Sequence, residues 1–178
     1  MITNQNCNLS LTKLDKEWND IKPFTSIEAM VKNRDTYPST SVYSILISEN
    51  ADAVTGMIAE AIANYVMLLP ANRTLNANSV IAISKAFTNH PDIKQLRLHE
   101  LKSFFHMAFI EMKFGKAYGG FGYDTLIDWF NQFNDLKFDE TIRFRENEHM
   151  QQTSFEKQRR EKGEMLGINQ IINKGESK

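Results

Sequence analysis

Cysteine is almost missing from this chain of 178 residues, since Cys7 is the only one. A single thiol excludes an intramolecular disulfide scaffold and is compatible with a reducing compartment, so a cytoplasmic location is expected. Cys7 lies in a polar start with no base beside it, and we interpret it as an incidental thiol rather than a nucleophile. The same start lacks the basic and apolar regions of a signal peptide.

An excess of charge of one sign and a long apolar run are missing as well. The 21 Lys and Arg residues balance 22 Asp and Glu residues, for a formal net charge of −1, which argues against a strong nonspecific nucleic-acid binder. The most apolar stretch, Ala51–Leu69, is interrupted by Asp52, Glu60 and Asn64. Because a membrane span needs about 20 mostly apolar residues, we expect a buried helix and no membrane partner.

Motifs of enzymes and metal sites are also absent from the sequence. It contains neither a Gly-x-Ser-x-Gly elbow nor a His-Glu-x-x-His pair. On one helix, His99 and His106 would lie about 10 Å apart along the axis, too far to share a zinc ion. All four histidines are interpreted as surface or boundary residues, with His90 in a turn. We therefore expect no enzyme, no cofactor and no metal.

Helical periodicity is the dominant pattern that remains, and it predicts an all-α bundle of about six helices. A short segment, Ser41–Ile47, fits a helix or a strand, and its helix-rich neighbourhood favours a helix. The predicted helices are Ser10–Ile21, a short one from a Thr25/Glu28 capping box to Val31, Ala51–Leu69, Val80–Thr88 capped by Asn78 or Ser79, Leu98–Phe114, and Thr125–Phe133 capped by Asp124.

The composition changes after Leu136. Residues 137–178 hold nine Lys/Arg and eight Asp/Glu residues but few apolar ones. This predicts a globular domain, 1–136, and a charged segment, 137–178, that forms a long, protruding helix to about Glu161 and is flexible from Gly163. An apolar cluster near the end either docks into a partner groove or folds back onto the bundle. The candidate partner-binding residues are Arg159, Arg160, Met165, Leu166, Ile168, Ile171 and Ile172.

Four of the eight glycines lie between Phe114 and Asp124. Such a segment can bring backbone close to a ligand, and its aromatic residues can stack on bases. The Walker pattern fails, because Phe121 stands where lysine is required. The favoured interpretation is a tight connection between helices with its aromatic side chains over the core. The candidate ligand or nucleic-acid loop comprises Lys116, Tyr118, Gly119, Gly120, Phe121 and Tyr123.

Aromatic residues are concentrated in one region, since nine of the twelve phenylalanines lie between Phe104 and Phe144. Their helical spacing predicts that most of them form the core. A partly exposed aromatic patch, which would favour a partner surface, is the alternative.

The stretch Pro91–Phe133 resembles a module in proteins of phages and mobile elements of gut bacteria. The matching residues are the paired Phe104-Phe105, then Gly115-Lys116-Ala117-Tyr118-Gly119, then a helix with Ile127 and Trp129. Gly120-Phe121-Gly122 stands where members often carry polar residues.

The layout also resembles phage helicase loaders and replication accessory proteins. The resemblance implies an adaptor in replication, with a protein partner such as a replicative helicase or a second copy. A self-assembling structural or virion-associated protein is the alternative, and a small nucleic-acid-binding module comes third.

Overall fold

The computed structural model describes residues 11–37, 39–48, 51–69, 75–117 and 120–175, without the side chains of residues 11, 12, 158 and 160–175. This part of the chain forms seven α-helices and no strand, so the predicted all-α fold is confirmed. A 3₁₀ turn (Pro91–Gln95) precedes α6, and a π-helical turn (His106–Ile110) follows it. The helices are α1 (Leu11–Asp20), α2 (Ile27–Lys32), α3 (Val42–Ile47), α4 (Ala51–Val66), α5 (Ala77–Thr88), α6 (Leu98–Phe105) and α7 (Tyr123–Gly175).

The chain divides into two compact units, Met1–Lys137 and Phe138–Lys178, and α7 contributes to both. The sequence predicted two helices where α7 stands, with a cap at Asp124 and an end near Glu161. Both bounds are wrong, since the helix includes Asp124 in its first turn and continues to Gly175. Each glycine within a helix costs only about 1 kcal/mol relative to alanine, so the helix-forming residues around Gly163 and Gly167 outweigh them. None of the helices in the described residues combines the length and apolarity that crossing a membrane requires.

α4 and α6 begin at the predicted residues, Ala51 and Leu98, whereas the other predicted helix starts are wrong by one to three residues. The cap of α2 is Ser26 instead of Thr25, and its hydroxyl accepts a hydrogen bond from the Ala29 amide at 3.1 Å. The cap of α5 is Asn76, whose side chain accepts from the Ser79 amide at 2.8 Å, so neither Asn78 nor Ser79 caps that helix. Several polar residues that can cap stand side by side at each start, and periodicity alone does not separate them.

The segment that fits either a helix or a strand is helical from Val42 to Ile47. Its entry residues make one isolated antiparallel bridge, between Ser41 and Arg97. The Val42 amide donates to the Leu96 carbonyl at 2.9 Å, and the Leu98 amide donates to the Thr40 carbonyl at 2.9 Å. These two bonds tie the start of α3 to the start of α6.

The predicted helix Leu98–Phe114 is shorter in the structure. α6 ends at Phe105, and the wider π turn ends at Ile110, where the Glu111 amide donates to the His106 carbonyl five residues back. Met112 then takes a positive φ of 51°, which the α-helix does not allow. The apolar spacing survives a π turn, so periodicity did not reveal that the α-helix ends there.

Aromatic rings fill the core of the unit Met1–Lys137, which confirms the core prediction for most of them. Seven of the nine phenylalanines between residues 104 and 144 are buried, whereas Phe138 is 65% exposed and Phe144 is half-buried. Phe104 lies at the centre, with ring centroids 5.1–6.1 Å from those of Phe87, Phe105, Phe114, Phe130 and Phe133. A second group surrounds Tyr65, whose ring stacks on Phe109 at 4.3 Å. These rings join α4, α5, α6 and the first turns of α7.

Candidate functional site

The C-terminal helix exposes large apolar side chains among its charged ones. Four of them are defined here as the tail surface: Phe138, Ile142, Met150 and Phe155, which are 65%, 38%, 61% and 71% exposed. Their neighbours on α7 are mostly charged or amide residues, and these are exposed as well. Fully burying a side chain of this size contributes about 1.5–3 kcal/mol. The tail surface therefore provides a driving force for association with another apolar surface.

The charges of this segment are arranged as in a solvated helix. Arg143 lies 3.6 Å from Glu140 one turn earlier, and both signs alternate along the described residues. Exposed pairs of this kind contribute about 0.3–0.5 kcal/mol. The Thr153 hydroxyl donates to the His149 carbonyl at 2.9 Å. The acidic and basic side chains thus stabilise the helix and keep it solvated, and because their signs alternate they do not form a surface of one charge.

The predicted partner-binding residues near the end fall mostly outside the described side chains. Arg159 is exposed on α7. The backbone of the remaining six lies in α7, which continues to Gly175. The choice between docking into a partner and folding back onto the bundle concerns side chains outside the described ones, so it stays a prediction for Arg160, Met165, Leu166, Ile168, Ile171 and Ile172.

One of the three aromatic residues in the candidate ligand loop of the glycine segment, Phe121, lies in the core. Phe121 is only 4% exposed, and its ring contacts those of Tyr65, Phe109 and Trp129 at 5.3–5.9 Å. The prediction that Phe121 stacks on a ligand is therefore wrong, because burial in the core is more favourable for this ring.

The remaining residues of the segment are more dispersed. Lys116 is exposed, and Tyr123 is half-buried as the first residue of α7. Gly120 has a φ of 119°, a conformation that favours glycine, so it allows the turn before α7. Tyr118 and Gly119 lie outside the described residues. Within the described part, the segment connects helices, as the favoured interpretation expected.

His99 is fully buried, contrary to the prediction of a surface or boundary residue. Its ring packs against those of Phe24 and Tyr37, at centroid distances of 5.9 Å and 5.1 Å. Neither ring nitrogen has a hydrogen-bond partner among the residues that the structure describes. Burial lowers the pKa of the imidazole, Glu100 counteracts this, and Arg97, Arg34 and Lys137 lower it further. The spacing of Leu98 and Leu101 in α6 does not include position 99, so no pattern in the sequence indicates this burial.

Glu100 lies next to His99 and is 1% exposed. Its carboxylate accepts from the Arg97 amide at 2.8 Å and lies 3.5 Å from Lys137 Nζ and 3.9 Å from Arg34 Nε. Burial lowers the pKa of Lys137, and Glu100 counteracts that effect. The carboxylate thus connects α6 with α7 and with the residues after α2. We interpret this cluster as structural, because every charged group in it faces another charged group.

A cleft that the sequence analysis missed opens between α1, α4 and α6, with a volume of about 230 Å³. Its floor is aromatic, formed by Trp18, Tyr65, Phe105 and Phe109, and each of these is at most 6% exposed. Four polar side chains from α4, α6 and the π turn surround this floor: Glu60, Asn64, Lys102 and His106. An apolar floor with convergent polar groups is typical of binding sites for small molecules.

The amino group of Lys102 is held at one wall of this cleft. It donates to the carbonyl oxygens of Trp18 and of Asn19, the latter at 3.4 Å, and it lies 5.3 Å from the centre of the Trp18 ring. Burial lowers the pKa of Lys102, whereas Glu60 and Asp20 raise it. Lys102 thus caps the carbonyl end of α1. Periodicity could not reveal this cleft, because its residues come from three helices far apart in sequence.

Comparison with protein-family models, with curated proteins and with solved structures finds no match to this chain. Within the described residues, no three His, Cys, Asp or Glu side chains converge as metal ligands would. Among the described residues, the tail surface and the cleft are two candidate binding surfaces.

Proposed function

We propose that this chain is a non-enzymatic adaptor that binds a protein partner through its C-terminal helix. The observation that carries the proposal is the tail surface, in which Phe138, Met150 and Phe155 are each more than 60% exposed on one continuous helix. Large apolar side chains that recur on an exposed surface favour a partner interface. The layout of a helical domain followed by a charged C-terminal segment, which resembles that of phage helicase loaders and replication accessory proteins, supports a replication accessory role, with a replicative helicase as the partner.

The free energy gained by burying the tail surface limits how tightly it can bind a partner. Four tail-surface side chains at about 1.5–3 kcal/mol each would provide at most roughly 6–12 kcal/mol, and less in practice because they are only 38–71% exposed. Association costs about 4–15 kcal/mol, because the two partners lose translational and rotational freedom. The tail surface alone therefore supports weak binding at best, and a stable complex needs further contacts. The apolar positions 165, 168 and 172, spaced as in a helix, are the candidates for these contacts.

The apolar spacing favours docking into a groove over a coiled coil of two copies. A coiled coil needs apolar residues every three and four positions over several heptads. Starting from Phe138 and Ile142, this spacing continues with Arg145, His149 and Gln152, so the apolar seam ends after two positions. A helix in a groove needs only a few anchors on one face. At 3.6 residues per turn, Phe138 and Ile142 share a face of α7, whereas Met150 and Phe155 lie on other sides of it. The pair Phe138 and Ile142 is therefore the anchor that this part of the helix offers. The partner we propose is accordingly a protein with an apolar groove.

The direct test measures capture of the purified host replicative helicase by the tagged chain. One variant ends after Lys137, so that the Lys137–Glu100 ion pair at 3.5 Å is kept. A second variant replaces all four tail-surface residues with Gln. We expect the intact chain to capture the helicase and both variants to lose most of that capture.

A matched control replaces Met67 and Leu68 with Gln, since these residues are 80% and 64% exposed in the other unit. This control is expected to capture the helicase normally. Equal capture by the intact chain and both tail variants would contradict the adaptor proposal, and no capture by the intact chain would contradict the helicase as partner. Light scattering over a range of concentrations tests the alternative, because a large closed oligomer of the chain alone would favour a structural protein.

A further inference from the structure

The cleft between α1, α4 and α6 has an uneven charge balance. Lys102 is engaged, since its amino group bonds the carbonyl oxygens of Trp18 and Asn19 and thereby caps α1. Glu60 is exposed at the rim on α4, where it attracts Lys102 and raises the pKa of that lysine, but it makes no hydrogen bond or ion pair within 4 Å with any residue that the structure describes. The carboxylate is thus available to a ligand, whereas the ammonium of Lys102 is already held by the protein.

Other groups near the cleft also favour a positive ligand. Lys102 caps the carbonyl end of α1, but Asp20, the last residue of that helix, is a second carboxylate that attracts Lys102, so the acids near this wall outnumber its ammonium group. His106 lies 3.5 Å from the Glu111 carboxylate, so its imidazole is directed to an acid that belongs to the protein. Lys102 already shows how this wall holds an ammonium group, with carbonyl oxygens on one side and the Trp18 ring at 5.3 Å on the other.

The floor of the cleft is apolar and is held in position by contacts between its rings. Tyr65 and Phe109 stack with an interplanar angle of 8°, and Phe105 lies 5.3 Å from Phe109. Behind them, Phe121 and Trp129 contact Tyr65 edge-on. A ring or a short hydrocarbon chain can pack on such a floor without rearranging it. The volume of about 230 Å³ is below the range of roughly 300–1,000 Å³ that drug-sized ligands need, so the ligand must be small.

We propose that this cleft binds a small organic ammonium ion with an apolar body, whose charged group pairs with Glu60 while its body packs on Tyr65 and Phe109. Asn64 lies one turn after Glu60 on α4, and its side-chain oxygen is a second acceptor at the rim. A carboxylate beside aromatic rings is a common way to bind an ammonium group. The site is independent of the tail surface, so it adds a second binding activity to the proposed adaptor.

The test compares three probes that share one phenyl ring and differ in charge: 2-phenylethylamine, 3-phenylpropionate and 2-phenylethanol. Each is titrated into the full chain at neutral pH while amide resonances are followed by NMR. We expect saturable shifts only with the amine, centred on Ala61, Asn64 and His106, which line the cleft. Equal or tighter binding of the acid or the alcohol would overturn the proposal, as would the absence of a saturable shift at millimolar amine.

Two variants locate the charge that matters. Glu60→Gln keeps an exposed side chain of nearly the same shape, and it should weaken amine binding about tenfold or more, as expected for one lost charge-assisted hydrogen bond. Glu148→Gln makes the same change at an exposed helical position that is outside the lining of the cleft, and it should leave the affinity unchanged. Equal affinity of the two variants would overturn the assignment of Glu60.

Discussion

Protonation of His99 should govern a measurable part of the pH dependence of stability. The imidazole has 0% exposure and two unpartnered nitrogens, and Phe24 and Tyr37 pack against it. Its charged neighbours are one carboxylate, Glu100, and three cations, Arg34, Arg97 and Lys137. A proton added to this ring would have neither water nor a hydrogen-bond acceptor to stabilise its charge. The folded protein therefore holds His99 neutral.

The sign and size of the effect follow from the lowered pKa of folded His99. As the pH falls below about 6.5, the usual value for an unfolded histidine, the unfolded chain takes up a proton that the folded chain does not. The free energy of unfolding then decreases by up to about 1.4 kcal/mol per pH unit. This contribution is complete above about pH 6.5 and is lost progressively below it, until the folded protein binds the proton as well.

The assay measures urea unfolding of the natural chain and of His99→Leu at about pH 7.5 and about pH 5.5. Leucine has a similar volume and cannot titrate. Removal of an orphaned N–H, worth about 1–3 kcal/mol, offsets the lost ring contacts of about 0.5–1.5 kcal/mol each, so the variant should fold. The natural chain should lose up to about 1.4 kcal/mol more than the variant between the two pH values. Parallel pH profiles of the two proteins would refute this reasoning, since His90, His106 and His149 are present in both.

Two further pairs of substitutions test the buried charge cluster and the backbone conformation at glycine. Glu100→Gln should reduce the free energy of unfolding by about 3 kcal/mol, because Arg34 and Lys137 lose a buried carboxylate. Glu140→Gln on the exposed helix should change the free energy of unfolding by less than about 0.5 kcal/mol. Similar values for the two variants in thermal unfolding would contradict the interpretation of the buried cluster. Gly120→Ala should destabilise the folded protein by about 1–2 kcal/mol, because the φ of this residue is 119°. Gly56→Ala should stabilise it by about 0.5–1 kcal/mol, because residue 56 lies on the exposed face of α4 and an added Cβ meets nothing within 4 Å. Shifts of the same sign in the two glycine variants would show that backbone conformation is not the cause.

The parts of the fold that could be predicted from the sequence are those that depend on neighbours three and four residues away. Leu14, Trp18 and Ile21 recur at helical spacing, and the structure buries the first two on one face of α1 and Ile21 directly after its end. The turn signals before α2 and α5 were found, but the capping residue was not, because several side chains compete for the same amide. Local pattern thus predicts that a helix exists and which side it buries.

The missed features depend on contacts between distant parts of the chain. His99 is buried because Phe24 and Tyr37 pack on it from another part of the chain, and no spacing within α6 indicates this. Phe121 belongs to the core because Tyr65 and Phe109 leave room for its ring. The cleft combines Trp18, Glu60 and Lys102, which are separated by about forty residues at each step. Only the three-dimensional arrangement places such groups together.

The packing of five other rings around Phe104 should also constrain how this sequence can diverge. Because each phenylalanine in this group sets the space for the next, the effects of substitutions there should not be additive. A smaller residue at position 104 would be tolerated best where position 87, 130 or 133 has become larger. Any diverged relative should therefore show these positions changing in concert, as one inherited set rather than as independent sites.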